Sequence, residues 1–210
     1  MEVYMKVLML NGSPHAKGNT YVALHEMEEI FAKEGIETEI YQIGVKPIRD
    51  CIGCGKCTEE GCIFDDDIAN DFLKKARKAD GFVFGSPVYY AHPSGRILSL
   101  LDRVFYSGGD AFAYKPCAGV AVARRAGTST TFDVLNKYAT ISNMIIVGSS
   151  YWNNVFGRKQ GEAVDDGEGL QTMRNLARNM AYLMKCLEAG KEKGIEKPVP
   201  EYGIHTNFIR

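Results

Sequence analysis

The chain has 210 residues, of which 45% are apolar and 24% charged, and its formal net charge at pH 7 is −1. This length and composition indicate one globular domain with a modest extension, and they disfavour disorder. No block rich in lysine and arginine occurs, which argues against nucleic acid and anionic membranes as partners. Met1–Lys6 is too short and too soon charged for a signal peptide, and no apolar stretch could span a bilayer. We therefore expect a cytoplasmic protein.

Short apolar runs alternate with segments of helical periodicity. Strands are predicted at 6–10, 37–43, 81–85, 118–123 and 144–148. Helices are predicted at 20–33, after Asp65–Asp67, from 94 to about 106, from the turn after the fourth strand to 141, and from about 166 to 188. The second strand is polar enough for a sheet edge. Right-handed crossovers and this chain length favour a doubly wound parallel sheet, with helices on both faces, over a closed eight-stranded barrel.

Two regions stand apart from this alternation. Residues 47–64 form a cysteine-rich loop inserted into a domain that we expect to span 1–190. Residues 191–210 contain Lys/Glu pairs and two prolines, which indicates a C-terminal arm. Such an arm either wraps a neighbouring subunit or is a loosely held terminus.

The turn after the first strand reads Leu-Asn-Gly-Ser-Pro-His-Ala-Lys-Gly-Asn-Thr over residues 10–20. A helix N-terminus that follows such a turn presents free N–H groups to a phosphate, and Ser13, Asn19 and Thr20 add side-chain donors. The turn lacks the spacing of a Walker A motif and of a dinucleotide fingerprint. It therefore predicts a site for a monophosphate. The alternative is a plain strand-to-helix turn in which Ser13 and Asn19 only cap the helix.

Four of the six cysteines, Cys51, Cys54, Cys57 and Cys62, lie within twelve residues. In a reducing compartment, thiols at this spacing indicate metal or redox chemistry, and ferredoxin-type [4Fe–4S] sites have similar crowding. Zinc and thiols without a stable metal are the alternatives. Cys117, in an apolar strand, and Cys186, on an amphipathic helix, are expected to be buried core thiols.

Two motifs resemble signatures of the NADPH-dependent FMN reductase family. Residues 12–14 with 18–20 are similar to the FMN phosphate loop, although His15 stands where many members have arginine. Residues 86–90, followed by 94–96 and 101–103, are similar to the second signature, which lines the flavin ring. The cysteine run with Ile63–Asp67 is similar to that of the iron-sulfur flavoprotein branch. The resemblance implies a flavodoxin-like five-stranded sheet of order 2-1-3-4-5, with FMN at the switch point.

The resemblance also implies a set of site residues. The FMN ligands would be Ser13, His15, Gly18, Asn19, Thr20, Ser86, Pro87, Val88, Tyr89, Tyr90, Ala126 and Gly127. The four clustered cysteines would bind the [4Fe–4S] cluster. No catalytic side chain is required, because redox chemistry belongs to the cofactor. The open alternatives are that the tyrosines are ordinary packing residues and that Arg124 and Arg125 are solvated.

Other candidates have weaker roles. His25 is expected at the surface. His92 is expected outside the pocket, and a position facing the pocket is the less favoured alternative. Asp102 and Arg103 are expected to form structural or subunit salt bridges. Trp152 and Asn153 either reach a pocket of a neighbouring subunit or simply pack.

The sequence thus predicts an FMN-dependent oxidoreductase. Electrons would pass from NAD(P)H or a reduced carrier through FMN to a small acceptor such as a quinone or a flavin. One alternative is a ferredoxin-linked iron-sulfur flavoprotein that carries electrons to or from another protein, and another is a flavin- or metal-binding regulatory module without turnover. By resemblance the assembly would be a homodimer or homotetramer.

Overall fold

A computed structural model describes residues 5–206 and 208; Met1–Tyr4, and Asn207, Ile209 and Arg210 of the predicted arm, lie outside the described residues. The strands are β1 (Lys6–Asn11), β2 (Glu37–Gln42), β3 (Gly81–Tyr89), β4 (His92–Pro93), β5 (Pro116–Ala123), β6 (Ile145–Ile146) and β7 (Asn154–Phe156). The helices are α1 (Asn19–Lys33), α2 (Ala69–Ala76), α3 (Gly95–Gly108), α4 (Thr128–Ile141) and α5 (Gly167–Glu192).

The main sheet is parallel and has the strand order β2-β1-β3-β5-β6. Strand β4 forms a short antiparallel hairpin with β3, so it does not belong to the parallel series. When β4 is left out, the order is the predicted 2-1-3-4-5, which is confirmed. The polar strand β2 lies at the edge, as its composition predicted.

The fifth strand position is divided between two short segments. Strand β6 pairs only with the beginning of β5, and β7 pairs with Ala121–Ala123 at its end. Between them, buried Asn153 donates its side-chain N–H to the Gly119 carbonyl oxygen at 3.0 Å and accepts a hydrogen bond from the Ala121 N–H at 2.9 Å. The predicted strand 144–148 is therefore shorter than expected, because the chain leaves the sheet and returns.

Each face of the sheet has its own hydrophobic core. Helices α1 and α5 cover one face, with buried side chains such as Leu24 and Met180 against β1 and β3. Helices α2, α3 and α4 cover the other, where Phe72 and Ile97 contact alternate residues of the same strands. Because β1 and β3 are buried on both faces, they read as continuous apolar runs in the sequence.

Helix α5 is longer than predicted. It continues to Glu192, and Gly194, at φ 78°, ends it with Ile195 N–H donating to the Gly190 carbonyl at 3.0 Å. In the ranges 5–206 and 208, no helix has both the length and the apolar character needed to cross a membrane.

The two isolated cysteines have different environments. Cys117 is buried in β5 as predicted, and burial raises the pKa of its thiol to about 12. The prediction for Cys186 is wrong, because this thiol is exposed. The buried stripe of α5 includes Met180, Ala181 and Met184, and Cys186 lies beyond it on the solvent side.

A buried ion pair fixes the cysteine-rich loop to α3. The guanidinium of Arg103, whose side chain is 1% exposed, donates to the Asp67 carboxylate and to the carbonyl oxygens of Phe64, at 2.6 Å, and Arg49, at 3.4 Å. The Asn70 side chain exchanges two hydrogen bonds with the backbone of Cys62, at 2.9 and 2.8 Å. Both ends of the loop are therefore held by buried polar groups.

Replacing Asp67 with alanine should destabilise the fold strongly. The substitution leaves a buried guanidinium without its counter-charge, which typically costs about 3–5 kcal/mol. The measurement is the free energy of unfolding from urea denaturation. Asp66→Ala is the matched control, since Asp66 pairs with Arg49 at the exposed surface and its loss should leave the midpoint unchanged. Equal losses for the two variants would contradict the structural role of the buried pair.

Candidate functional site

The loops after β1, β3 and β5 meet at the carboxyl edge of the sheet, where α/β folds bind ligands. A cavity of about 320 Å³ lies there, within the size range of small-molecule sites. Eight residues predicted from the sequence form part of its wall: Ser13, His15, Gly18, Asn19, Thr20, Pro87, Val88 and Tyr89. The structure thus brings the two sequence motifs together in one cavity.

Gly12 allows the first two loops to approach each other. Its N–H donates to the Gly85 carbonyl oxygen at 2.8 Å. A Cβ on Gly12 would lie 2.7 Å from that oxygen and 2.7 Å from Cδ1 of Ile97, so only glycine fits. The Ser94 hydroxyl donates to the Gly12 carbonyl at 3.0 Å, which ties the start of α3 to the same point.

The phosphate loop, residues 12–20, is held by side chains below it. Buried Asn11 accepts the Ser13 N–H at 3.1 Å and donates to the Gln42 side chain at 2.6 Å. Gln42 in turn donates to the Ser13 carbonyl oxygen at 2.7 Å. The Ser13 hydroxyl accepts the His15 N–H at 3.2 Å, so its own proton is free for an anion.

Helix α1 begins in the wall of the cavity. Its cap residue is Gly18, which has no side chain to accept a hydrogen bond from the first turn. The first amides of a helix have no acceptor within the helix, and its dipole favours negative charge at that end. This donor set suits a phosphate.

Asn19 lies in the cavity wall, but its side chain already has two partners. Its amide donates to the Lys159 carbonyl oxygen at 2.9 Å and accepts the Ala163 N–H at 3.1 Å. Asn19 therefore fastens the segment 157–163 to the phosphate loop. Donation from its remaining N–H to a phosphate stays a prediction.

The end of β3 forms the part of the cavity for which the sequence predicts flavin-ring contacts. Tyr89 is half-exposed, whereas Tyr90 is fully exposed with φ at 51°. Gly127, at φ 88°, packs tightly against Ala91, the residue after Tyr90, because a Cβ on Gly127 would lie 2.5 Å from the Ala91 Cα. Four residues predicted as flavin contacts lie outside the cavity wall: Ser86, Tyr90, Ala126 and Gly127. Ser86 is buried beneath the wall, where its hydroxyl accepts the Ser94 N–H at 3.0 Å.

The wall has six further residues, of which the sequence analysis weighed Arg124, with solvation as its alternative, and missed the other five; the six are Val122, Ala123, Arg124, Gly157, Arg158 and Gln160. The last three follow β7, which has only three residues and gives no periodic signal. Among the residues that the structure describes, the wall thus contains two arginines and a histidine but no aspartate or glutamate. This charge balance favours an anionic ligand.

The remaining candidates lie away from the cavity wall. His25 is half-exposed and lies 2.8 Å from the Glu28 carboxylate, and His92 is exposed in β4. Asp102 accepts a hydrogen bond from the Tyr138 hydroxyl. Trp152 is exposed beside Tyr151, with their ring centroids 5.1 Å apart.

A larger cavity of about 760 Å³ lies between the later turns of α3 and α4. Its wall contains Cys51 and Tyr202, and its charged residues are Asp102 and Asp110. Because these carboxylates would repel a phosphate, we assign the anion site to the smaller cavity.

The four clustered cysteines share one loop without forming a metal site. Cys51 and Cys54 are exposed, and Cys57 and Cys62 are half-buried. Burial, and then the nearby thiols, raise the pKa of Cys57. Within the part of the chain that the structure describes, no three Cys, His, Asp or Glu side chains are arranged to hold a metal ion. A cluster does not fit this conformation of the loop, and its four ligands stay a prediction.

An open parallel sheet whose β1 and β3 loops form an anion-accepting cavity defines the class of flavodoxin-like proteins. A solved archaeal flavodoxin has this fold: it matches with a TM-score of 0.60 at 12% identity, over 86% of this chain and 99% of its own. The NAD(P)H:quinone oxidoreductase of Methanothermobacter marburgensis matches with a TM-score of 0.65 at 16% identity, over 85% and 96%.

Residues 5–158 match the model of the NADPH-dependent FMN reductase family, and the chain belongs to this family. An iron-sulfur flavoprotein of Methanocaldococcus jannaschii is 36% identical over 193 residues, which cover 88% of this chain and all of the relative. The protein is therefore a flavin-dependent redox protein, and the residues of the smaller cavity fit the phosphate of FMN.

Gly12→Ala should destabilise the protein and weaken flavin binding. The added methyl group would meet a backbone carbonyl, and such overpacking typically costs about 1–3 kcal/mol. Thermal denaturation and a flavin fluorescence titration measure the two effects. Gly95→Ala is the control, because in the described part of the chain a Cβ at that position would meet no other element within 4 Å. The close approach of the two loops would be disproved by a Gly12→Ala variant with unchanged stability and affinity.

Proposed function

We propose that this protein is an FMN-dependent oxidoreductase that takes electrons from NAD(P)H or a reduced carrier and passes them to a small acceptor, such as a quinone or a free flavin. The observation that carries the proposal is the cavity at the carboxyl edge, where the phosphate loop and the end of β3 form one wall with cationic side chains. The family's name adds support for FMN and NADPH.

The phosphate loop would hold the phosphate of FMN. The Ser13 hydroxyl and the first amides of α1 are the donors available there, and Asn11 and Gln42 keep the loop in position. Pro87, Val88 and Tyr89 would contact the ring system. Bound FMN supplies both two-electron and one-electron chemistry, so the chain contributes binding, orientation and electrostatics rather than a catalytic acid or base.

Exposed aromatic side chains lie on three loops and strands at this edge. Tyr90, Trp152 and Phe156 have 105%, 59% and 38% of their surface exposed. Exposed apolar surface beside a ligand site is typical of a subunit interface. We propose that a neighbouring copy covers this edge in a homodimer or homotetramer.

We also propose that the domain spans residues 1–190 and that residues 191–210 form its C-terminal arm.

The enzyme proposal predicts fast reduction by a nicotinamide. FMN-loaded protein, mixed anaerobically with NADPH or NADH, should lose its flavin absorbance, and added quinone should restore it over repeated turnovers. Stopped-flow absorbance measures both steps. Sustained turnover would also exclude a regulatory module. Flavin that is reduced by neither nucleotide nor ferredoxin, or that returns no electrons to an added quinone or free flavin, would contradict the enzyme proposal.

A second candidate is an electron carrier that also binds an iron-sulfur cluster. The observation that favours it is the run of four cysteines on a loop whose two ends are fixed by Arg103 and Asn70. Gly53 and Gly55, at φ 61° and 66° with open space around them, give the intervening backbone freedom to rearrange. The name of the Methanocaldococcus relative is consistent with this candidate. The carrier's partner would be a protein such as ferredoxin.

Cysteine substitution tests this candidate. Anaerobic reconstitution with iron and sulfide should give about four iron atoms per chain, as in a [4Fe–4S] site. Replacing any one of the four clustered cysteines with serine should reduce the iron content severalfold; the positions are Cys51, Cys54, Cys57 and Cys62. Cys186→Ser is the matched control, since Cys186 is an exposed thiol outside the loop. Iron content near zero in the reconstituted wild type would exclude the cluster.

A further inference from the structure

The phosphate loop gives the cavity no permanently charged side chain of its own. Lys17 is the only lysine or arginine in residues 12–20, and its ammonium lies 3.9 Å from the centroid of the Tyr21 ring instead of in the cavity wall. His15 lies in the wall, but its ring cannot donate the two parallel hydrogen bonds that a guanidinium gives to a phosphate. A phosphate dianion bound here would therefore be matched better by an arginine from another part of the chain.

The segment 157–163, which we call the clamp, lies directly on the phosphate loop. Asn19 bonds to it at Lys159 and Ala163, and the Gln160 side chain donates to the Lys17 carbonyl oxygen at 3.4 Å. Contact is close, because a Cβ on Gly157 would lie 2.8 Å from Nδ2 of Asn19. The clamp therefore has a defined position relative to the phosphate donors.

Arg158 lies in the clamp and in the cavity wall. The Glu162 carboxylate accepts the backbone N–H groups of Arg158 and Lys159 at 2.5 and 2.8 Å, and these hydrogen bonds lower the pKa of Glu162. They fix the backbone at Arg158 without engaging its guanidinium. Across the described residues, Arg158 forms no ion pair of its own, so its charge is available to a ligand.

Arg124, the other arginine of the wall, follows β5 directly, and the Gly157 N–H donates to the Ala123 carbonyl oxygen at 3.0 Å. Its loop then leads away from the clamp to Gly127, which packs on Ala91 beside the end of β3. Arg124 therefore lies beside the clamp but on a loop without its hydrogen bonds to the phosphate loop, whereas Arg158 belongs to the clamp itself.

We infer that Arg158 is the cationic ligand of the flavin phosphate, contributed by the clamp from outside the phosphate loop. The inference rests on the proposed function and deepens it, because it assigns the charge recognition of FMN to one residue. A guanidinium stays charged at any physiological pH and donates two parallel hydrogen bonds to a phosphate.

The test compares FMN with riboflavin, which lacks only the phosphate. Dissociation constants are measured by flavin fluorescence titration for the wild type, Arg158→Ala, Arg158→Lys, Arg124→Ala and Arg125→Ala. Arg158→Ala should weaken FMN binding by about tenfold or more and change riboflavin binding by less than about twofold. Arg158→Lys should recover part of the loss. Arg124→Ala should weaken FMN binding less than Arg158→Ala does, because the loop of Arg124 is not fastened to the phosphate loop. Arg125 is exposed and outside the wall, so its loss should change neither constant.

The results separate the inference from the proposed function. Unchanged riboflavin binding shows that an Arg158→Ala variant is folded with an intact cavity. Equal weakening of both flavins, or no more weakening of FMN than in Arg125→Ala, would overturn the role of Arg158 while FMN binding itself stands. A wild type that binds neither flavin would overturn the proposed function and the inference together.

Discussion

The parallel pairing of β1 with β3 at the centre of the sheet is the constraint on which the site depends. The register places Asn11 opposite Gly85, and the next N–H along the chain, that of Gly12, donates to the Gly85 carbonyl oxygen. Two motifs separated by about seventy residues therefore leave the sheet side by side. Both strands are buried on both faces, so a one-residue slip would move every side chain from one close-packed core into the other. The register is therefore fixed, and with it the relative position of the two loops.

The cysteine-rich loop depends on a different set of contacts. Arg103 and Asp67 form a buried charge pair under the loop. The Asn70 side chain forms hydrogen bonds with both the backbone N–H and the carbonyl oxygen of Cys62. A buried charge pair fixes the position of the segments that carry it, and the removal of both charges from water costs free energy. The ends of the loop are thus held without a metal, while its exposed centre, around Gly53 and Gly55, has space to change conformation. This combination is compatible with a loop that acquires its final shape only when a cluster is inserted.

Periodicity predicted most of the fold, because the central strands and the amphipathic helices have strong apolar patterns. The polar edge strand and the turn of the phosphate loop followed from local signals, whereas the strand order came from the resemblance to the FMN reductase family. Strand β7 and the clamp were missed, since three residues show no period and their pairing with β5 is set by tertiary contacts. The error at Cys186 has another origin: the last buried residue of α5 is Met184, although the helix continues to Glu192.

A single FMN molecule should contact the loops after both β1 and β3. Backbone amide chemical shifts from two-dimensional NMR, recorded during an FMN titration, test this contact most directly. The account predicts large shifts in both residues 13–20 and residues 88–89, together with the clamp, and little change in Tyr106–Ala113 beside the larger cavity. Shifts confined to that larger cavity, or to only one of the two loops, would contradict it.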